Sequence, residues 1–128
     1  MGKLPTAIVL FAHGSAVSEA NRQVAALAEE ISRRAGCPAG CAFLEIAQPD
    51  LAAAVAAFAK AGVRRIVLVP YFLTMGVHVR EDLPKLIEEQ RARFPGVEIL
   101  AGQPLEGSPG MAGLILELVR AVLPEDER

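Results

Sequence analysis

The chain has 128 residues, of which 52% are hydrophobic, 22% charged and 5% aromatic, and its formal net charge is −2. That length fits one domain, residues 1–128, able to bury roughly two-thirds of the surface its unfolded chain exposes, and the composition excludes disorder. No basic run is dense enough for nucleic acid, and no apolar stretch approaches the ~20 residues that span a bilayer.

The N-terminus lacks the ordered charged, apolar and small-residue regions of a signal peptide, so a cytoplasmic location is expected. Met1-Gly2-Lys3-Leu4-Pro5-Thr6 formally fits the N-myristoylation pattern. A strand begins directly behind it, and the match is read as chance. Cys37 and Cys41 flank Pro38-Ala39-Gly40. Their spacing would suit a metal, but no second pair or nearby histidine completes a site, so they are read as small buried apolar residues.

In chain order, Ala7 to Ala12 is a continuous apolar run of strand length, as expected of a central strand covered on both faces. His13-Gly14-Ser15 follows. Ser18 is the expected N-cap of a helix with Val24, Leu27, Ala28, Ile31 and Ala35 at helical period, stopped by Gly36. Cys41 to Ala47 reads as the second strand, although Glu45 near its end is a charge that a buried strand avoids. Pro49 predicts the first turn of an alanine-rich helix over Leu51 to Ala61, ended by Gly62.

Arg65 to Val69 predicts the third strand, with Pro70 ending its ladder. The stretch after it stays apolar through Tyr71, Phe72, Leu73, Met75 and Val77, and then reaches His78. An apolar loop of this kind either completes a core or subunit interface, or forms a surface for something flat and apolar. Asp82 and Pro84 predict the start of a helix carrying Leu83, Leu86, Ile87 and Phe94, and Pro95-Gly96 its end. Val97 to Ala101 is the fourth strand. Ser108-Pro109 caps a last helix with Met111, Leu114, Ile115, Leu118 and Val122 on one face, closed by Pro124.

Strict alternation of strand and helix, without internal repeat or linker, implies an α/β fold with an open parallel four-stranded sheet and helices on both faces. Order 2-1-3-4 places the two most apolar strands, the first and third, in the centre. In such sheets ligands bind beyond the carboxyl ends of the strands, where strand order reverses. His13 leaves the first strand and His78 closes the loop after the third, so the two histidines of the chain are expected at one edge, with Glu45 beside them.

Imidazole binds divalent first-row metals and, when neutral, accepts a proton. Two imidazoles and at most one carboxylate leave a coordination sphere incomplete, which suits delivery of a metal better than permanent binding. The chain has neither a Gly-x-Gly-x-x-Gly after a strand nor a Walker lysine motif, which argues against nucleotide chemistry. Phosphohistidine mutases place an arginine before the His-Gly pair, whereas here Ala12 stands there. Ser15 has no nucleophile elbow around it and reads as a turn residue with a hydroxyl available to a ligand.

His13-Gly14-Ser15 after a first strand, Phe43-Leu44-Glu45 with Pro49 soon after, and Val69-Pro70-Tyr71-Phe72-Leu73 leading through Gly76 to His78 and Asp82-Leu83-Pro84 together resemble the small sirohydrochlorin chelatases. The resemblance covers about Ala7 to Gly102. It implies a chelatase-like fold and insertion of a divalent metal (Co2+, Fe2+ or Ni2+) as substrate into sirohydrochlorin, with no permanently bound cofactor. It also implies a homodimer in which each chain corresponds to half of the longer two-lobed chelatases. Carried over, it makes His13 a metal ligand and proton acceptor, His78 the second metal ligand, and Glu45 a catalytic group that contacts substrate or takes protons. Ser15 and the segment Leu73, Thr74, Met75, Gly76, Val77 and His78 would contact the macrocycle. Helix N-termini near Ser15 and Arg80, with Arg22, would receive its peripheral carboxylates. The alternative is a non-catalytic carrier of metal or tetrapyrrole, and Glu45 favours the enzyme because carriage needs no further proton acceptor.

Overall fold

A computed structural model of the chain describes residues 4–128, so the first three residues of the Met1 to Thr6 pattern lie outside the described ones. Strands β1 (Thr6–Ala12), β2 (Ala39–Phe43), β3 (Arg65–Pro70) and β4 (Glu98–Ala101) form one parallel sheet in the order β2-β1-β3-β4. This is the order expected from the apolar runs. β1 is buried along its whole length, as its unbroken hydrophobic sequence requires, because strands flank both of its edges and helices lie over both of its faces.

The helices are α1 (Ser18–Ala35), α2 (Leu51–Lys60), α3 (Val77–Arg93) and α4 (Pro109–Val122), followed by a short turn of 3-10 helix at Glu125–Glu127. α2 and α3 cover one face, where Val9, Phe11, Ile66, Leu68 and Ile99 of the sheet pack against Leu51, Val55, Leu83 and Ile87. α1 covers β1 and β2 on the other face and ends at Gly36, which takes the left-handed conformation at φ 70°.

Several boundaries differ from the expected ones, each for a local reason. The β2 ladder stops at Phe43, and Leu44 to Ala47 form a turn instead of continuing the strand. The Leu44 and Glu45 N–H groups still donate to the carbonyls of Ala12 and His13, but Ala47 N–H then donates back to the Glu45 carbonyl and closes the chain on itself. Pro49 does not open α2: Asp50 is its N-cap and accepts from Ala53 N–H at 2.8 Å. Val17, not Ser18, occupies the N-cap position of α1 and gives it no side-chain cap.

β3 runs one residue further than expected, to Pro70, after which Tyr71 N–H donates to the Phe11 carbonyl at 2.7 Å. α3 starts at Val77, with Gly76 as N-cap, instead of at Asp82, and Pro84 lies inside it. Pro84 is exposed, so water can meet the carbonyl that its missing N–H leaves unbonded. His78 therefore stands on a helix and not in a loop. The expected apolar face of α4 is present in sequence, yet none of its residues is buried.

Candidate functional site

β1 and β3 are adjacent and parallel, with Phe11 opposite Pro70, so the segments leaving them emerge side by side at the carboxyl edge of the sheet. His13 is the first residue beyond β1. The Leu44 and Glu45 hydrogen bonds to Ala12 and His13 prolong the β1–β2 ladder by one step and carry Glu45 out beside His13. The turn at Leu44 to Ala47 then brings the Glu45 carboxylate to the imidazole, with Glu45 Oε1 3.2 Å from His13 Nε2.

Gly14 makes this approach possible. Its φ is +95°, and a Cβ on it would overlap the Glu45 carbonyl oxygen and press on the carbonyl carbon at 3.2 Å. The glycine of the His-Gly-Ser motif is thus a packing requirement of the Glu45 turn. Ile46, in that turn, has a φ of 72°, unusual for a β-branched residue.

The other ring nitrogen defines the chemistry. His13 Nδ1 lies 3.1 Å from the Gly14 carbonyl oxygen, an atom that can only accept, so this hydrogen bond belongs to the tautomer that carries its proton on Nδ1. In the neutral ring Nε2 then turns a lone pair toward a carboxylate oxygen. Two acceptors at this distance call for a shared proton or a cation between them. His13 and Glu45 are 52% and 59% exposed, so either can arrive from solvent.

The backbone and the hydroxyl oxygen of Ser15 shape the turn. Its N–H donates to Asn21 Oδ1 at 2.9 Å, Asn21 Nδ2–H donates back to the Ser15 carbonyl at 2.8 Å, and its hydroxyl oxygen accepts from Val17 N–H at 3.0 Å. Asn21 was invisible to sequence reasoning, because nothing in the spacing marks it as the partner of a residue six positions earlier.

The segment after β3 divides its roles. Phe72 enters the core and meets Phe11 edge to face at 6.3 Å, so the aromatic part of the stretch completes the core. Leu73, Thr74, Gly76 and Val77 are exposed, and Met75 is half-buried against the core. Val17, Ile46 and Leu73, each in a connection beyond the carboxyl end of a strand, and Val77, the first residue of α3, are large, apolar and exposed. All four lie at the same carboxyl edge of the sheet as the His13–Glu45 pair. Val17 and Ile46 were not anticipated; a lone apolar residue in a polar turn is the signal that could have found them.

His78 is exposed in the first turn of α3, on the same edge of the sheet. Among the described residues no three His, Cys, Asp or Glu side chains gather closely enough to hold a metal ion, so His78 does not close up with His13 and Glu45. Arg80 donates to the Met75 carbonyl and to Glu106 Oε1, both at 3.0 Å, and Arg22 pairs with Glu19 at 2.7 Å. Both guanidinium groups are therefore already partnered. A cleft of about 290 Å³ opens beside this segment, lined chiefly by Pro70, Met75, Leu83, Ile87 and Ala101. No helix among the described residues is long and apolar enough to cross a membrane.

The CbiX family model matches residues 7–122. The sirohydrochlorin cobaltochelatase of Sulfurisphaera tokodaii is 30% identical over 121 residues, covering 94% of this chain and 97% of its own. The sirohydrochlorin ferrochelatase of Bacillus subtilis is 32% identical over 117 residues, covering 91% of this chain and 42% of its own. The chain thus spans less than half the length of that relative and of the ferrochelatase of Priestia megaterium. Among solved structures, the sirohydrochlorin chelatase SirB from Bacillus subtilis subspecies spizizenii, in complex with cobalt, superposes with a TM-score of 0.82 at 25% identity, over 93% of this chain and 51% of that one.

Proposed function

The chain belongs to the CbiX family, and from that premise we propose that it is a sirohydrochlorin chelatase that inserts a divalent metal, Co2+, Fe2+ or Ni2+, into the free macrocycle for cobalamin, sirohaem or related biosynthesis. The observation that carries the reading is the pairing of His13 Nε2 with Glu45 Oε1 at 3.2 Å, open to solvent, at a sheet edge that also carries exposed apolar side chains. Metal insertion breaks two ring N–H bonds, releases two protons and forms bonds from the ring nitrogens to the metal. It therefore needs a base and a loosely held cation against one face of a flat ring.

In this reading Nε2 of His13 first binds the incoming metal and then, once the ring nitrogens have taken it, accepts the two ring protons in turn, each of which Glu45 passes to solvent before the next is taken. His78 is the second metal ligand, reaching the pair when the macrocycle is bound. Leu73 to Val77, with Ile46 and Val17, form the wall on which the ring lies. The first turns of α1 and α3 have no side-chain cap, and that of α3 holds no acidic residue, which supports their receiving the peripheral carboxylates. Ser15 fixes the turn that presents the α1 terminus.

The functional unit is a homodimer in the cytoplasm, in keeping with relatives of about twice the length. The test is the absorbance change of metal insertion, with purified protein, sirohydrochlorin and cobalt, iron or nickel in parallel. The protein is expected to exceed the spontaneous rate with at least one metal, and His13→Ala or His78→Ala to abolish the gain. Tight tetrapyrrole binding at the spontaneous rate would make the protein a carrier instead.

A further inference from the structure

His13 has an acceptor at each ring nitrogen, and the two compete. Nδ1 lies 3.1 Å from the Gly14 carbonyl oxygen and Nε2 lies 3.2 Å from Glu45 Oε1, and the neutral ring has one N–H to give. Given to Gly14, the proton leaves Nε2 the lone pair that binds a metal or takes a proton from the macrocycle. Given to Glu45, it closes Nε2 to both. A carboxylate is the stronger acceptor of the two, and free histidine favours the proton on Nε2, so the pair alone would settle in the closed form.

The glycine makes the competition harder to win. Its missing Cβ admits the Glu45 turn at φ +95°, but it also leaves the peptide that follows it with less steric restraint than any other residue would. That peptide carries the carbonyl facing Nδ1. Local sterics do not aim it.

Asn21 does. It stands half-buried in the first turn of α1, and its carboxamide closes on Ser15 from both sides. Oδ1 accepts from Ser15 N–H at 2.9 Å, and Nδ2–H donates to the Ser15 carbonyl at 2.8 Å. The reciprocal pattern fixes which end of the amide is oxygen, because the exchanged orientation would set donor against donor and acceptor against acceptor. Ser15 N–H and the Gly14 carbonyl belong to one planar trans peptide group and point in opposite directions from it. Holding the N–H therefore aims the carbonyl. A peptide whose N–H is hydrogen-bonded is also polarised so that its carbonyl accepts more strongly.

We propose that Asn21 is a positioning residue for His13: through the Gly14–Ser15 peptide it holds the imidazole with its proton on Nδ1 and keeps Nε2 open beside Glu45. The two forms it chooses between are tautomers of the neutral ring, equal in charge. Asn21 itself touches neither metal nor macrocycle. The role deepens the chelatase reading above and rests on it, whereas the state of the imidazole is readable without turnover.

The ring is read by nitrogen NMR of the metal-free protein labelled in histidine, at about pH 8.5, roughly two units above the ordinary histidine pKa. The chain has two histidines, and the His13 signals are those missing from His13→Ala. Wild type is expected to carry the His13 proton on Nδ1, and Asn21→Ala to move it to Nε2. Asn21→Asp keeps an acceptor for Ser15 N–H and gives up only the bond to the Ser15 carbonyl, so it should retain the wild-type pattern. Wild type already in the Nε2–H form, or Asn21→Ala indistinguishable from wild type, would overturn the proposal whether or not the protein inserts metal.

In cobalt insertion Asn21→Ala should lower kcat about 10–100-fold, the usual cost of losing a residue that orients a ligand, and leave the KM for sirohydrochlorin within about two-fold of wild type. Asn21→Asp should recover most of the rate. Ser32→Ala controls for stability alone, since Ser32 also ties α1 to a loop, donating to the Cys37 carbonyl at 2.8 Å in the last turn of the helix. It should melt lower than wild type and keep the wild-type kcat. An equal loss of kcat in Ser32→Ala, or a loss in Asn21→Ala carried wholly by KM, would reduce Asn21 to a structural tie and overturn the proposal. A wild-type protein that inserts no metal would remove the chelatase reading, while the shift of the His13 proton in Asn21→Ala would still establish the positioning.

Discussion

Gly14→Ala isolates the contact on which the site geometry depends. At φ +95° an alanine stores about 1–2 kcal/mol of backbone strain. Its Cβ also overlaps the Glu45 carbonyl oxygen, which must move. Movement there breaks or stretches two hydrogen bonds, Glu45 N–H to the His13 carbonyl and Ala47 N–H to the Glu45 carbonyl, each worth about 1 kcal/mol. The expected loss is about 3–4 kcal/mol, or roughly 10–15 °C in Tm for a domain of this length.

Gly62→Ala is the matched control. Its φ is +94°, but no atom lies within 4 Å of the added Cβ, so it should lose only the strain, about 1–2 kcal/mol. Thermal and urea unfolding of the two variants give the difference directly. Gly14→Ala should also slow metal insertion on the order of 100-fold, since displacement of a catalytic group by about 1 Å costs that much, whereas Gly62→Ala should insert at the wild-type rate. Equal destabilisation of the two variants, with both still active, would refute the claim that Gly14 exists to admit the Glu45 turn.

The adjacent residues Phe72 and Leu73 should separate stability from binding. Phe72→Ala removes a core ring packed on Phe11 and should cost about 3–5 kcal/mol in urea melts. Leu73→Ala, at 69% exposure, should cost less than about 0.5 kcal/mol yet weaken sirohydrochlorin binding in a fluorescence titration, and a large stability loss there would show a structural role. Burial pushes the Cys41 thiol pKa above its ordinary value, so at pH 8 less of it is thiolate than in free cysteine. Alkylation by iodoacetamide should accordingly be slower at Cys41 than in a model peptide and should keep rising beyond the pH at which the peptide levels off; matching profiles would contradict the assignment.

Much of the fold was legible because the strands write themselves as apolar runs. The four runs, and the greater apolarity of the first and third, were enough to order the sheet. The convergence of His13 and Glu45 was legible for the same reason, since both follow strands that pair. Local exceptions were harder to see. The turn at Leu44 to Ala47 reads as strand because Phe43, Leu44 and Ile46 are good strand residues, and their spacing does not show that Ala47 N–H closes back on the Glu45 carbonyl in the room that Gly14 leaves.

The early start of α3 was hidden by Pro84 and by the β-branched Val77 and Val79, all of which argue against helix locally. In the fold Pro84 is exposed, and Leu83 and Ile87 beside it anchor the helix to the core, overriding both objections. The sequence of α4 specifies a helix with apolar faces, but helical period is the same whichever sheet those faces meet. Packing partner is a property of the three-dimensional path after β4, set by contacts such as Arg80 with Glu106, and no spacing encodes it.

The central claim is that His13 and Glu45 act as one unit in moving metal and protons. A double-mutant cycle on the initial rate of cobalt insertion into sirohydrochlorin tests it most directly, using His13→Ala, Glu45→Gln and the two combined. If the pair works as a unit, each single variant loses most of the rate gain and the double variant is hardly slower than the worse single one. Independent losses that simply multiply in the double variant, or single variants at the wild-type rate, would contradict it.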